Sequence, residues 1–248
     1  MEKAGCVRLL AALSSALAIA AGGASGQDLT TVVADVDQAM GRIFVTGADY
    51  EASGSGFVFS HDASGRPIFL TNFHVTAEGG EITVVFLAGS NDVVAFDGTL
   101  LASSPAMDMA ALALTARDGA DFRPREIPLA LREIEKGEQV IALGYPASSD
   151  QVLGSDLNVA LFETTLTQGL VSKVFVAPWE TQTSNGSDVS VEIIQHTAAI
   201  NHGNSGGPLL DECGHVLGMN TAGVLEDNVF LASSSRSLAV FLDDAGIS

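Results

Sequence analysis

Three residue types carry the chemistry in this chain, and the clearest of them is Ser205 in "INHGNSGGPLL", residues 200–210. A serine set among Gly203, Gly206 and Gly207 is, by itself, equally well explained as a tight turn. Hydrolysis of an amide by serine needs more: a base to take the hydroxyl proton, a group to orient that base, and donors for the developing oxyanion. Two other residues answer the first two needs. His74 lies in "FLTNFHVTAEGG", just after an apolar run, where a strand is expected to end and project a side chain. Asp108 lies in "SSPAMDMAALAL", at the mouth of the next such run. Singly, a histidine there is often a structural residue and an aspartate a cap or turn former. Together they stand in the chain order His, Asp, Ser, one of the three orders in which such triads occur. His61, His196, His202 and His215 fit no second role as well.

Elements that would position these groups are legible around them. From about residue 40 the chain runs as short segments rich in Val, Ile, Phe and Thr, bounded by Gly, Pro, Asp or Ser: "RIFVTG", "GSGFVFS", "PIFLTNFHV", "EITVVFLAG" and "VVAFDGTLLAS". These read as antiparallel strands. "FRPREIPLALREIEKGEQ" interrupts the rhythm with three arginines and two prolines, as a connector between two halves would. "QVIALGYP", "TLTQGLVSKVFVA", "VEIIQHTAAI", "HVLGMNTAGV" and "NVFLAS" then resume it. "SRSLAVFLDDAG" predicts a closing helix over about 236–246, stopped at Gly246. Residues 27 to about 40 read as a short helix or an irregular lead-in, and "SNGSD" at 184–188 as a loop.

Composition narrows the class. With 248 residues, 47% hydrophobic content and 26 glycines, the chain is globular with many turns. Its formal net charge of −19 argues against nucleic acid or an anionic membrane surface as partner. The first 26 residues, with Lys3, Arg8 and an apolar run from Leu9 to Ala21, have the pattern of a secretory leader. Cleavage after Gly26 is expected, with Ala20 as the alternative, leaving residues 27–248 as an exported domain, periplasmic or secreted, without a transmembrane segment. It would also leave Cys213 as the single cysteine, a bystander in the turn of "LLDECGHVLG". No phosphate-binding glycine loop or metal-spaced His/Cys cluster is present in the sequence, so neither cofactor nor metal is expected.

"TNFHV", "DMAALAL", "GYP", "TLTQGLVSKV" and "INHGNSGGPLLDECGHVLGMNTAG" together resemble the chymotrypsin-fold serine proteases, and most of all the protease domain of the bacterial HtrA/Deg group. The resemblance spans about residues 40–245. It implies an all-β fold of two six-stranded antiparallel barrels, at about 40–118 and 136–235, with a C-terminal helix. It assigns Ser205 as nucleophile, His74 as general base and then acid, and Asp108 as the group fixing the histidine tautomer. Backbone N–H groups of Gly203 and Ser205 would form the oxyanion hole. Ala199, six residues before the serine, would line the floor of the primary specificity pocket, with Asn220, Thr221, Ala222 and Gly223 as its wall and Phe230 narrowing it. Without a carboxylate at Ala199, a small or medium apolar residue is expected before the cut.

Departures from the group accompany the resemblance. His202 stands where proline is common in these proteins, no PDZ domain occurs before Ser248, and no zymogen cleavage site of the Arg-Ile-Val-Gly-Gly type is found. Phe44 and Tyr50 are the aromatics available for a trimer contact, and oligomerisation is left open. Protein or peptide substrates are the implied partners. A glutamyl endopeptidase, with His196 meeting the acidic side chain, and a protease-fold binding protein with little turnover are the competing expectations.

Overall fold

The structure is a computed structural model and describes residues 28–89, 92–153, 160–178, 189–224 and 228–247. The expected leader at 1–26 and the "SNGSD" loop lie outside the described residues.

Twelve strands form two closed antiparallel barrels. The first contains β1 (Met40–Thr46), β2 (Glu51–His61), β3 (Pro67–Thr71), β4 (Glu81–Leu87), β5 (Val93–Ser104) and β6 (Met109–Ala116), in the spatial order β1-β2-β3-β6-β5-β4. The second contains β7 (Gln139–Gly144), β8 (Thr165–Pro178), β9 (Ser190–His196), β10 (Pro208–Leu210), β11 (Val216–Val224) and β12 (Val229–Ser234), in the order β10-β11-β12-β9-β8-β7. The fold class expected from the sequence is thus the one observed. Closure leaves neither sheet with a free edge.

Alternation along each strand explains why the apolar runs are nearly continuous. On β6, Leu112 and Leu114 point into the first barrel, while Met109 and Ala111 point out into a layer shared with the second. On β7, Val140 and Ala142 fill the second barrel, while Ile141 and Leu143 face the same shared layer. A strand buried on both faces cannot show the apolar-polar alternation of a solvated sheet. The shared layer lies between the barrels, and the candidate residues are carried at its margin on the connections between strands, His74 on a single turn of helix.

Four α-helices complete the described chain. α1 (Leu29–Asp37) sends Val32 and Val36 into the shared layer, settling the lead-in as a helix. α2 (Phe73–Thr76) and α3 (Ala147–Leu153) are short and flank the candidate site. α4 (Ser235–Asp244) begins one residue before the expected start, because the Ser234 hydroxyl caps it by accepting from Ser237 N at 3.2 Å. It stops at Gly246, whose φ of 67° lets the Ile247 amide reach the Leu242 carbonyl at 2.9 Å. The 122–138 stretch of the connector holds no regular element beyond a bridge between Leu129 and Val216, and its last residue, Gln139, opens β7. Phe44 packs edge-on against Phe162, with ring centroids 6.4 Å apart, so it has an intramolecular partner. No helix among the described residues is long and apolar enough to cross a membrane.

Leu112 is fully buried in the first barrel. Leu112→Ala is expected to lower unfolding free energy by about 2–5 kcal/mol, the usual range for a cavity left by a core leucine. Urea titration at unchanged m-value checks this.

Candidate active site

His74 is delivered by a change of conformation. β3 ends at Thr71, Asn72 takes extended angles, and residues 73–76 turn into one turn of helix, so His74 sits on α2 and not on the strand end expected from the sequence. The Asn72 amide group does not cap that helix; it donates to the Asp108 carbonyl at 2.9 Å and ties the two segments together.

Asp108 occupies the corner between β5 and β6 with φ of 55° and is 2% exposed. A carboxylate in such a place needs donors. It accepts from His74 N at 2.9 Å on Oδ1, from His74 Nδ1 at 2.9 Å on Oδ2, and from the Thr221 hydroxyl at 2.7 Å on Oδ2. Because carboxylate oxygens accept, Nδ1 carries the imidazole hydrogen and Nε2 is left with a free lone pair. His74 itself is 46% exposed at its side chain, so that lone pair belongs to a group open to solvent.

Ser205 reaches this pair from the second barrel. Its main-chain carbonyl accepts from Ser55 N at 2.8 Å. A Cβ on the neighbouring Gly54 would lie 3.0 Å from Val75, on α2, and 3.2 Å from the Ser205 carbonyl oxygen, so α2 and the serine turn meet over β2. The Ser205 hydroxyl is turned toward the Thr221 carbonyl at a long 3.4 Å. His74 and Asp108 are therefore joined directly, and Ser205 is linked to them through Thr221; a direct His74–Ser205 hydrogen bond is not formed. Long or misaligned contacts of this kind are common before substrate binds.

The turn carrying Ser205 requires glycine at two points. Gly203 has φ of 95° and would press a Cβ onto the Tyr145 carbonyl; Gly206 has φ of 87° and would press one onto Ser55 and Thr71. The His202 carbonyl accepts from Ala147 N at 2.8 Å. Since the peptide is planar and trans, the Gly203 N–H points opposite to that carbonyl, away from α3. Neither Gly203 N–H nor Ser205 N–H donates a hydrogen bond to any described residue, which leaves two donors on one turn. 

A sequence profile described as a trypsin-like peptidase domain matches residues 54–219, a span that contains His74, Asp108 and Ser205. The chain belongs to the trypsin-like peptidase family. Within the family it is similar to the serine protease Do-like HtrA of Bacillus subtilis, 34% identical over 180 residues, which are 71% of this chain and 35% of that protein. It is also similar to a probable periplasmic serine endoprotease, DegP-like, of Brucella suis, 33% identical over 69% of this chain and 28% of that protein. The chain thus spans about a third of the length of these curated relatives. Among solved structures, the Rv3671c protease of M. tuberculosis in its active form superposes with a TM-score of 0.69 at 24% identity, over 88% of this chain and 85% of that one. A serine endoprotease from Yersinia pestis superposes with a TM-score of 0.65 at 22% identity, over 88% of this chain and 66% of that one. Both share the two-barrel fold.

Residues expected in the family's specificity pocket occupy different environments. Ala199 and Gly223 are exposed, and the Ala199 carbonyl accepts from the Thr167 hydroxyl at 2.7 Å. Asn220 is fully buried and braces the serine turn: its N donates to Gly207 O at 2.8 Å and its carbonyl accepts from Gly206 N at 2.9 Å. Ala222 lies on β11 opposite Leu231. Thr221 is the extra residue of a bulge, between the pairs Asn220–Ala232 and Ala222–Leu231, and the bulge turns its hydroxyl onto Asp108. Phe230 packs inside the second barrel, 2% exposed and against His196. 

One further cluster has a structural explanation. Asp211, Cys213 and His215 come together in the β10–β11 turn. Yet the Asp211 carboxylate already accepts from Cys213 N and His215 N, both at 2.9 Å, as a turn-closing aspartate does. Cys213 is not a free thiol.

His196 is fully buried, and neither ring nitrogen meets a partner in hydrogen-bond geometry. Burial pushes its pKa down to about 4, opposed in part by the nearby Ala198 backbone and Asn220 side chain. Above the unfolded value near 6.5 both states are neutral; between about 6.5 and about 4 only the unfolded chain takes up the proton. Stability is thus complete above that window and falls as pH drops through it, by up to about 3 kcal/mol from this residue. Urea midpoints at pH 7 and pH 4.5 should show that loss, and His196→Gln should flatten the difference.

Proposed function

We propose that the chain is an exported serine endopeptidase in which Ser205 attacks the scissile carbonyl, His74 moves the proton and Asp108 fixes His74. The observation that supports this most is the buried Asp108 carboxylate, which holds the imidazole through Nδ1 and leaves Nε2 as the nitrogen free to accept a proton. In the first step Nε2 takes the Ser205 hydroxyl proton as Oγ bonds to the carbonyl carbon. The resulting oxyanion is received by the Gly203 and Ser205 N–H groups. Protonated His74 then gives its proton to the leaving amine, and the acyl-enzyme is hydrolysed by water through the same residues in reverse roles. Water attack regenerates Ser205.

Specificity for a small or medium apolar residue before the cut is supported by exposed Ala199 and Gly223, which bring no charge to the pocket. Asn220 and Thr221 support the serine turn and Asp108 in place of contacting substrate side chains. A preference for acidic residues is disfavoured, because His196 is buried beside Phe230 and held neutral. Export to the periplasm or the exterior is supported by the leader pattern of residues 1–26 and by the periplasmic relative in Brucella suis. Proteolysis of misfolded or extracellular protein is the role this placement suggests.

A fluorophosphonate probe and casein digestion test the reaction. Wild type is expected to label and digest, and Ser205→Ala to do neither; a folded wild type that does neither overturns the reading. Thr221→Val, which keeps shape but removes the donor to Asp108, should lower kcat by about 10- to 100-fold, the worth of one hydrogen bond to a charged group. Cleavage of peptide libraries mainly after Lys, Arg or Glu would refute the apolar pocket.

A further inference from the structure

Two residues of the first barrel reach the serine turn from outside the candidate triad. Arg42 on β1 and Ser55 on β2 are directly paired across the strands, so their side chains leave the same face of the sheet. That face is the outward one, since Ile43 and Val45 fill the barrel interior. Ser55 is fully buried; its hydroxyl donates to the Gly203 carbonyl at 2.6 Å and accepts from Tyr145 N at 2.9 Å. Arg42 grips the second barrel beside it. Its guanidinium makes a two-pronged pair with Asp150, Nη1 to Oδ1 at 3.0 Å and Nη2 to Oδ2 at 2.5 Å, and Nη1 also donates to the Leu161 carbonyl at 2.9 Å.

Asp150 belongs to α3, whose first residue is Ala147, the donor to the His202 carbonyl. A continuous set of contacts therefore runs from Arg42 through Asp150 and α3 to the peptide between His202 and Gly203. Ser55 holds the far side of Gly203. The two carbonyls that flank the Gly203 N–H are thus both fixed by groups that depend on one register pair in the first barrel. A cavity of about 480 Å³, lined in part by Tyr145, Ser149, Asp150, Leu161 and Thr165, adjoins α3, whose Ser149 hydroxyl also meets the Thr165 hydroxyl at 3.2 Å. Freed from Arg42, α3 has room to shift, and the His202 peptide loses the donor that sets its direction.

We propose that Arg42, with Ser55, is a positioning residue that holds the Gly203 N–H in its oxyanion-binding direction from the neighbouring barrel, through Asp150 and α3. This rests on the protease reading above. The side chain that sets the donor is thus separated from it by a helix and carried on the other half of the molecule.

Full-length wild type, Arg42→Gln, Asp150→Asn and the double variant test it. Five quantities are measured: kcat and KM on an unstructured peptide, affinity for a peptide trifluoromethyl ketone, thermal midpoint, and the 1H–15N position of the Gly203 amide. Each single variant is expected to lower kcat by about 10- to 100-fold with KM changed by less than about twofold, since the lost donor acts on the transition state. Ketone affinity should fall in step, the double variant should be no worse than the weaker single, and Asp150→Glu should recover part of the loss. The Gly203 amide should move in every variant that loses rate. Additive losses, or a lower midpoint with kcat per folded molecule intact, overturn the proposal. Should Arg42→Gln fail to fold, Asp150→Asn and Asp150→Glu decide, Asp150 being 28% exposed at its side chain. Should wild type prove inactive and unlabelled, the protease reading fails separately. The Gly203 amide then decides: a shift with Asp150→Asn sustains the positioning role and an unmoved amide overturns it.

Discussion

A carboxylate at 2% exposure is the constraint on which this site depends. Burying it is tolerable only if donors surround it, and the chain recruits them from separate places: α2 supplies a main-chain N–H and an imidazole, and β11 supplies a hydroxyl. Since α2 belongs to the first barrel and β11 to the second, Asp108 cannot be satisfied until the barrels have docked. The shared apolar layer brings them to that distance, and the hydrogen bonds at its margin fix the final register. Docking and assembly of the site are one event.

The serine turn is built on the opposite logic. Where Asp108 is crowded with donors, Gly203 and Ser205 keep theirs unspent, because their carbonyl neighbours are already taken by Ala147 N–H and by Ser55. Fixing the acceptors of a turn is a way of aiming its donors without touching them. The same device explains the tight fit around Gly206, whose N–H goes to Asn220 and whose missing Cβ makes space for Ser55 and Thr71.

How much of this was legible in the sequence follows from what kind of signal each part leaves. His74, Asp108 and Ser205 stood out because each borders an apolar run, and the runs themselves read as antiparallel strands, while their closure into two barrels was legible only through the family resemblance. The closing helix and its stop were readable from the spacing of Leu238, Phe241 and Leu242 and from Gly246, since caps are local, while the Ser234 cap that starts it one residue early was not read. The link from Thr221 to Asp108 was not legible, because one extra residue in a strand leaves no mark in composition, yet the bulge it forms turns its hydroxyl to Asp108. Arg42 and Ser55 were silent for a different reason: their partners are 108 and 148 residues away, and pairing at that distance exists only after folding. His196 shows the converse, a polar residue whose chemistry is suppressed by where the fold puts it.

The backbone of Asp108 has a left-handed φ of 55°, a region that few side chains other than aspartate, asparagine and histidine enter readily. One residue therefore makes the corner between β5 and β6 and also holds the charge of the site. Substitutions that abolish the charge but keep the corner form a very small set, with asparagine foremost. A lineage drifting toward a silent, substrate-holding protein would find its cheapest exit there, through a change of one carboxylate oxygen to an amide nitrogen that leaves every strand in place.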